Sequence, residues 1–400
     1  MKSLHWYIVY LVFVVFSSCT REAHVSEIKE MNILNTDLPL KITISDIVDS
    51  IVYVPLSTDD CLLSYIEKVQ YDSCFYFIKD ARGLYVFDES GNFVSEIGRK
   101  GQGPKEYLYI NAFYLDKKNK NVCIISYPDR KLLTYSYSGN FLSVSRLVKE
   151  DAYVSYVSCL PEGRLLAHRP LPNETSENDY EYVMLSPQGD SYTSYPLLEN
   201  IGIKSKNVHY SFLRSPIASV NGKYYAISTL SNVVYRFDDQ SLVADFFLNL
   251  PNISPTETFI KSHAEQDFFS LSQQLNEEKI GKGIIAIASS DENLFMLLEN
   301  GQTIVSDGNE AIVIAPFIYW PDSNIYSYNL FSGGLFDEML GYYEASSLLS
   351  KLEFINKGNN IKLKLIVAGL HEDDNPVIFR CCLKRGMMKL LKNMPVSDAK

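Results

Sequence analysis

Short hairpins recur along the chain at a spacing of about 50 residues. The first spans 83–97 with Gly91 in its turn, and the second spans 131–144 with Gly139 in the matching place. A third copy lies at 182–190, a fourth and weaker copy without the glycine lies at 233–240, and a fifth lies at 293–301. A sixth copy would hold 361–367 and 375–384. A strand-rich unit of this length cannot bury both of its faces alone, whereas stacking around a ring buries them. The repeat therefore predicts an all-β, six-bladed β-propeller.

Segments outside the repeat complete this architecture. The strand at 50–56, which contains Tyr53, precedes the first full unit, and we expect it to pair with C-terminal strands and close the ring. Two stretches, 255–282 and 335–352, carry apolar residues at helical spacing. They predict short helical insertions in the propeller.

The first 19 residues have the layout of a secretory signal. Lys2 precedes an unbroken apolar run at 6–16, and Ser17 and Ser18 lead directly to Cys19. The run is shorter than the roughly 20 residues that span a bilayer. A cysteine in this place resembles the bacterial lipobox, which implies a lipoprotein signal peptide and acylation of Cys19. The alternative is a plain secretory signal with an incidental cysteine.

The chain is thus expected to comprise four segments. They are a signal peptide (1–18), a polar tether after the lipidated cysteine (19–37), the propeller (38–390) and a C-terminal tail (391–400). A lipid anchor would attach the protein to a membrane. We therefore expect a cell-envelope protein at the outer membrane, facing either the periplasm or the cell surface.

The charge balance bears on the class of partner. The chain is acidic, with 37 Lys and Arg against 48 Asp and Glu and a net charge of −11. Nucleic-acid binders draw most of their affinity from phosphate contacts made by a basic stripe, and the lysine clusters of this chain are short. Nucleic acid is therefore not an expected partner.

Six cysteines follow Cys19, and none of them forms a C-x-x-C pair. An extracytoplasmic location permits disulfides, so the sequence leaves their oxidation state open. The six are Cys61, Cys74, Cys123, Cys159, Cys381 and Cys382. Three of them, Cys74, Cys123 and Cys381, lie in strand-like apolar runs, which favours buried free thiols.

A glycine-rich segment, IGRKGQGPKEY at 97–107, follows the first hairpin. It resembles a segment of the six-bladed β-propeller lipoproteins of Gram-negative anaerobes, which are similar in turn to NHL-repeat propellers. The strands at 53–56 and 232–236 and the DNPV segment at 374–377 resemble that family in the same order. The resemblance implies an envelope propeller and no settled activity. Lys105 stands where the family usually has glycine, which would cost about 1 kcal/mol if the backbone there needs a positive φ.

Two interpretations of this segment stay open. Its glycines let the chain turn sharply from the outer strand of one blade to the inner strand of the next. The second interpretation places its polar and aromatic side chains near the channel mouth, where they would grip a ligand. The candidate ligand-binding residues are Arg99, Lys100, Gln102, Glu106 and Tyr107.

No catalytic set is recognisable in the sequence. The histidines after the signal show no metal-ligand spacing, and neither a G-x-S-x-G elbow nor an EF-hand loop occurs. We therefore assign no catalytic or metal residue and expect no cofactor.

Three hypotheses about function follow. The first is a non-catalytic propeller that binds a partner protein, peptide or glycan through one face. The second is a metal-dependent lactonase or lyase with its site in the central channel, formed by side chains from several blades. The third is an envelope assembly or signalling role in which the helical insertions dock a partner.

Overall fold

The computed structural model describes twelve stretches of the chain. They are 28–36, 38–147, 153–170, 181–186, 192–195, 213–238, 241–263, 266–290, 292–315, 318–320, 325–327 and 338–394. The predicted signal peptide and Cys19 lie outside these residues, as do the end of the predicted third hairpin at 187–190 and the last six residues of the chain.

The described strands form a six-bladed β-propeller of small antiparallel sheets. Blade 1 contains Ile66–Asp72, Phe75–Asp80, Leu84–Asp88 and Phe93–Glu96. Blade 2 contains Ile110–Asp116, Asn121–Ser126, Lys131–Ser136 and Phe141–Arg146. Blade 3 contains Tyr156–Cys159, Leu165–His168, Tyr182–Leu185 and Tyr192–Tyr195. Blade 4 contains Ile217–Val220, Lys223–Ile227, Val233–Asp238 and Ser241–Phe247. Blade 5 contains Ile284–Ser289, Leu294–Leu298, Thr303–Ser306 and Glu310–Ile314.

Blade 6 closes the ring, as the sequence predicts. Its described strands are Glu338–Tyr343, Val377–Leu383 and the early strand Val48–Pro55. The early strand pairs antiparallel with Val377–Leu383, with Tyr53 opposite Phe379. This pairing joins the two ends of the propeller in one sheet. A separate hairpin pairs Ile318–Trp320 with Ile325–Ser327.

Apolar side chains on both faces of the strands hold neighbouring blades together. Phe77 and Val86 of blade 1 share one buried cluster with Phe113 and Ile124 of blade 2. Successive side chains of a strand point to opposite faces of its sheet, and in this ring each face of an inner sheet meets another blade. This arrangement explains why inner strands such as Asn121–Ser126 are buried along most of their length.

Part of the predicted tether lies against the outer edges of two blades. Lys29–Glu30 pairs in parallel with the last strand of blade 4, and Asn32–Ile33 pairs in parallel with the last strand of blade 5. Met31, between them, is buried. The packed chain therefore begins ahead of residue 38, because these residues satisfy strand edges that would otherwise be exposed.

The helical insertions differ in part from the prediction. The stretch 255–282 contains the helices Glu257–Ser262 and Phe268–Glu277, as expected. The described part of 335–352 begins instead with the strand Glu338–Tyr343, followed by Ala345–Leu349. Further helices are Ile44–Ile47, Leu352–Lys357, Ile361–Ala368 and Met387–Lys392, and Pro161–Gly163 forms a 3-10 turn.

The segment 361–367, predicted as part of the sixth hairpin, is a helix. Asn360 caps it, since its side chain accepts a hydrogen bond from Leu363 N–H at 2.9 Å. Leu363 and Val367, four residues apart, are buried on one side of the helix. The alternation of apolar residues and lysines in this segment suggested a strand, but the cap and the i, i+4 burial determine the structure.

The fifth hairpin copy is displaced by one strand. Gly91 and Gly139 lie between the third and fourth strands of their blades, whereas Gly301 lies between the second and third strands of blade 5. Gly308 occupies the matching turn there, with a φ of +89° like that of Gly91. Both turns of blade 5 carry glycine, so the sequence alone did not distinguish them.

Candidate functional site

A cavity of about 650 Å³ lies on the axis of the ring. The first strands of blades 2, 3, 4 and 5 contact one another in that order around this axis. The cavity is lined by residues of blades 1 to 5. Its lining includes the turns that follow the first strands of blades 2 and 3, at 116–121 and 160–163. The cavity therefore opens toward the face of the ring that carries these turns. Its volume lies within the range of about 300–1,000 Å³ that small-ligand sites occupy.

The lining combines aromatic rings with neutral hydrogen-bonding groups. The four tyrosines are Tyr71, Tyr114, Tyr156 and Tyr224. The amides are Gln70, Asn119 and Asn121, and the hydroxyls come from Thr134, Ser158, Ser215, Ser219 and Ser289. Aromatic faces bury apolar ligand surface, while amides and hydroxyls fix its orientation. This chemistry suits a polar ligand with flat apolar faces, such as a sugar ring or an extended peptide.

Charged groups at the mouth of the cavity are mixed in sign. Asp116 and Lys118 both line the cavity. In the adjacent turn of blade 1, Asp72 accepts hydrogen bonds at 2.8 Å from Lys120 Nζ and from the Tyr137 hydroxyl of blade 2. Burial alone would raise the pKa of Asp72, but these hydrogen bonds hold it below its usual value. The contacts also fasten the rims of blades 1 and 2 together.

Lys68 lies near the axis on the first strand of blade 1. Its ammonium is 4.3 Å from the centre of the Tyr156 ring and 3.4 Å from the carbonyl oxygen of Phe113. Lys79, directly opposite across the strands, is paired with Glu67. Within the described stretches, Lys68 has no carboxylate within 4.0 Å. Burial, with a contribution from the charge of Lys79, lowers the pKa of Lys68 to about 7.

We predict that Lys68 makes stability depend on pH. Between pH 7 and 10.5 the unfolded chain keeps the Lys68 proton and the folded chain loses it, so wild-type stability rises with pH in this window. At its steepest this rise is about 1.4 kcal/mol per pH unit. Lys68→Met should remove the rise and be more stable than wild type below pH 7. Denaturant titrations of both proteins from pH 6 to 10 measure the difference, and parallel curves would contradict the prediction.

The glycine-rich segment lies at the other end of the inner strands. It precedes Ile110, where the first strand of blade 2 begins, whereas the cavity mouth follows Asp116, where that strand ends. The small cleft beside it, lined by Lys100 and Tyr107, holds about 10 Å³. The five candidate residues are therefore separate from the axial cavity.

Two of the five candidate residues are engaged in holding the loop. The Glu106 carboxylate accepts a hydrogen bond from Gly103 N–H at 2.8 Å, and a Cβ on Gly101 would lie 2.1 Å from the same carboxylate. Tyr107 is buried. Lys131 Nζ donates to the carbonyls of Gly103 and Glu106, at 2.9 and 2.8 Å.

The other three candidates, Arg99, Lys100 and Gln102, are exposed. Lys105 is not among the residues with a positive φ, so the strain considered for this position does not arise. The Lys105 carbonyl accepts a hydrogen bond from the Tyr135 hydroxyl at 2.6 Å. The ligand role of the five residues stays a prediction.

Gly98 combines a positive φ with a close contact, so a side chain at this position would be strained in two ways. Its φ is +68°, and a Cβ would lie 2.6 Å from the Tyr135 hydroxyl oxygen, which the Lys105 carbonyl holds in place. We expect Gly98→Ala to lower the free energy of unfolding by about 2–4 kcal/mol, from backbone strain and overpacking together. Gly222→Ala is the matched control, because its φ is +74° and nothing lies within 4 Å of the added Cβ. Its cost should be about 1 kcal/mol, and equal thermal shifts for the two variants would contradict this account.

A comparison with protein families identifies the family of this chain. The model of a family described as a domain of unknown function, DUF4934, matches residues 28–381. The chain belongs to the DUF4934 family. No curated protein matches this DUF4934 chain in sequence.

This DUF4934 protein was also compared with solved structures, and one of them shares its fold. The crystal structure of BF0058 from Bacteroides fragilis NCTC 9343, described as a "putative exported protein", has a TM-score of 0.66 and 19% identity, covering 87% of this chain and 99% of that one. A DUF4221 family member from Bacteroides vulgatus ATCC 8482 has a TM-score of 0.49 and 9% identity, covering 84% and 97%. At such identities the likeness to BF0058 shows the fold alone.

A buried polar cluster joins blades 3 and 4 of the DUF4934 propeller. Both oxygens of the fully buried Glu181 accept hydrogen bonds from blade 4, one from the Ser228 hydroxyl at 2.5 Å and one from the Thr229 N–H and hydroxyl at 2.9 and 2.7 Å. The imidazole of His168 lies 3.4 Å from Glu181 through Nε2 and 2.8 Å from the Ser155 hydroxyl through Nδ1. Sequence analysis missed this cluster, whose members come from two blades.

The order hydroxyl, imidazole, carboxylate also occurs in hydrolase triads. Here the ring nitrogen facing Ser155 is Nδ1, and donors of blade 4 occupy both oxygens of Glu181. The geometry therefore supports a structural bracket between the two blades.

Metal-capable side chains do not cluster in the part of the DUF4934 chain that the structure describes. No group of three or more His, Cys, Asp and Glu residues there is placed to hold an ion. The lactonase or lyase hypothesis thus has no supporting cluster among these residues.

The cysteines differ from the prediction at one position. Cys123 and Cys381 are buried, as expected, whereas Cys74 is exposed in a turn with a φ of +69°. The prediction for Cys74 was wrong because the turn, and not a strand, contains it. Cys61, Cys74, Cys123 and Cys159 are free thiols.

Among the residues described, no helix has the length and apolar character needed to cross a membrane.

Proposed function

We propose that this DUF4934 protein is a lipid-anchored envelope propeller that binds a partner protein, peptide or glycan through one face without transforming it. The observation that carries the proposal is the axial cavity, which five blades line with aromatic and neutral polar groups. In this proposal, a peptide or glycan segment of the partner enters the cavity from the face that carries the turns after the first strands.

The envelope location rests on independent observations. Lys2, a short apolar run and two serines precede Cys19, which is the order of features in a lipoprotein signal peptide. BF0058, which shares the fold, is described as exported. Attachment of the lipid at Cys19 leaves about ten residues before the first strand at Lys29, which places the propeller close to the membrane. Acyl labelling of wild type and Cys19→Ala in cells tests the anchor, and label retained in the variant would contradict it.

A variant that fills the cavity tests the binding site. Ser158 lines the cavity from the first strand of blade 3 and is half-buried, so Ser158→Trp adds a bulky ring inside it. Ser143→Trp adds the same ring to an exposed position on the outer strand of blade 2 and is the matched control. In pull-downs from envelope extracts, we expect Ser158→Trp to lose at least tenfold of any partner that wild type and Ser143→Trp retain. Equal recovery by all three proteins would contradict the cavity as the binding site.

We propose the exposed side chains of Arg99, Lys100 and Gln102, at the opposite end of the inner strands, as the alternative contact region to the cavity. Their support is the exposure of all three on one short segment. The variant Arg99→Ala with Lys100→Ala, in the same pull-down, distinguishes this region from the cavity.

A further inference from the structure

The helix Ile361–Ala368 has an apolar face that is exposed in the part of the chain that the structure describes. Leu363 and Val367 are buried against the core, while Ile361 is 73% exposed and Leu365 is 71% exposed. Ile361 and Leu365 are four residues apart and therefore lie one above the other on the helix. They form an apolar stripe facing away from the propeller, on the side of the helix opposite Leu363.

Two lysines border this stripe. At 100° per residue, Lys362 lies on one side of the Ile361–Leu365 line and Lys364 lies on the other. Phe354, on the preceding helix that packs against this one, is also 52% exposed. We call Ile361, Lys362, Lys364 and Leu365 the apolar–basic surface.

Exposed surfaces on which large apolar side chains are flanked by cations suit the interface of a bilayer. Their apolar side chains enter the boundary between headgroups and acyl chains, and the lysine stems extend to the phosphates. A protein partner with an ordinary apolar groove would not need cations on both sides of the stripe. The charge pattern therefore favours an anionic lipid surface as the occupant.

We propose that the apolar–basic surface lies on the membrane and binds anionic phospholipid headgroups, so that it orients the propeller on the bilayer. The inference rests on the envelope location in the proposed function. The two or three acyl chains of a lipobox cysteine give stable attachment by themselves, so the apolar–basic surface acts on the orientation of the propeller. The acidic chain as a whole, at −11, is repelled by an anionic surface, so this local patch determines which side approaches it.

Vesicle flotation tests the proposal without the lipid anchor. The probe is the chain from residue 20 onward, which contains every strand and helix described above, mixed with vesicles of phosphatidylethanolamine and phosphatidylglycerol at 3:1 or of phosphatidylcholine alone. Wild type should float with the anionic vesicles and not with the neutral ones. The double variants Ile361→Ser/Leu365→Ser and Lys362→Glu/Lys364→Glu should each lower the bound fraction at least tenfold.

Matched controls separate surface effects from unfolding. Leu142→Ser/Val144→Ser removes an exposed apolar pair that no lysine flanks in the same strand, Leu142 at 51% and Val144 at 43%, from the outer strand of blade 2 and should float like wild type. Thermal unfolding checks that each variant is folded. Leu365→Trp provides a second readout, since its emission should shift to the blue with anionic vesicles.

The experiments test the membrane surface and the proposed function separately. Flotation that the two double variants do not reduce, or the absence of flotation with anionic vesicles, overturns the membrane surface. If the wild type self-associates with rising concentration, Ile361→Ser/Leu365→Ser abolishes this, and neither protein binds lipid, the membrane surface is overturned in favour of a contact between copies of the chain. Acyl labelling at Cys19 and the Ser158→Trp pull-down report on the proposed function separately, so either proposal can fail alone.

Discussion

Replacing Glu181 with alanine is expected to lower the free energy of unfolding by about 3–5 kcal/mol. The carboxylate is fully buried and accepts the Ser228 hydroxyl, the Thr229 hydroxyl and the Thr229 N–H. Its removal leaves these donors without an acceptor in a site that water does not reach, and a stranded buried polar group costs about 1–3 kcal/mol. The loss falls at the junction of blades 3 and 4.

The control for this prediction is Thr229→Val, which removes one hydroxyl donor and keeps the shape of the side chain. It should cost about 1 kcal/mol. Chemical denaturation of the three proteins measures the difference. A loss below 1 kcal/mol for Glu181→Ala would show that the bracket contributes little to holding the blades together.

Replacing Asn375 with alanine should cost about 3 kcal/mol and act on the closure of the ring. Its side-chain amide donates to the carbonyls of Ser57 and Cys61, both at 2.6 Å, and its oxygen accepts the Leu63 N–H at 2.7 Å. These bonds fix the segment that leads from the closing strand to the first strand of blade 1. Because Asn375 is buried, three groups lose their partners at about 1 kcal/mol each.

Asp373→Ala, two residues away and exposed, is the control for Asn375→Ala and should change stability by less than about 0.5 kcal/mol. Hydrogen exchange gives a local readout. Exchange at Leu63 and in the strand Val48–Pro55 should speed up in Asn375→Ala and not in Asp373→Ala. If exchange in Asn375→Ala became faster by the same factor in all blades, a role in closure would be contradicted.

The repeat was readable from sequence because turn geometry demands particular residues. Gly91 and Gly139 both have positive φ, so glycine marks the same turn of blades 1 and 2. The closing strand was also predictable, because Tyr53 lies in an apolar strand-like run that belongs to none of the repeated hairpins. Asn375 belongs to the DNPV segment that carried the resemblance, and the structure gives it a bracing role.

Other elements could not be derived from local pattern. The helix Ile361–Ala368 has the alternation of a strand, and its Asn360 cap and tertiary packing decide the outcome. The fifth hairpin was predicted one strand too early, because Gly301 and Gly308 lie in adjacent turns of the same blade. Propensity and periodicity are weak signals wherever packing against another element favours the alternative.

The candidate site was the least predictable part. The cavity lining comes from five blades, so its residues are scattered from Gln70 to Ser289 and share no spacing. Glu181 and His168 are single polar residues next to or at the end of a strand. Polar residues are common at such positions, so nothing in the sequence marked these two. The glycine-rich segment was the most visible motif, and its glycines serve the close approach of Glu106 and the φ of Gly98.

Photo-cross-linking inside the envelope tests the central claim, that the axial cavity holds a ligand, most directly. The photoreactive residue p-benzoylphenylalanine would replace Tyr224, which lines the cavity, or Leu142, which is exposed on the outer strand of blade 2. On irradiation of intact cells, the account predicts a discrete adduct at position 224, resolved by mass, and none at position 142. Adducts at both positions, or at neither, would contradict the cavity as the ligand site.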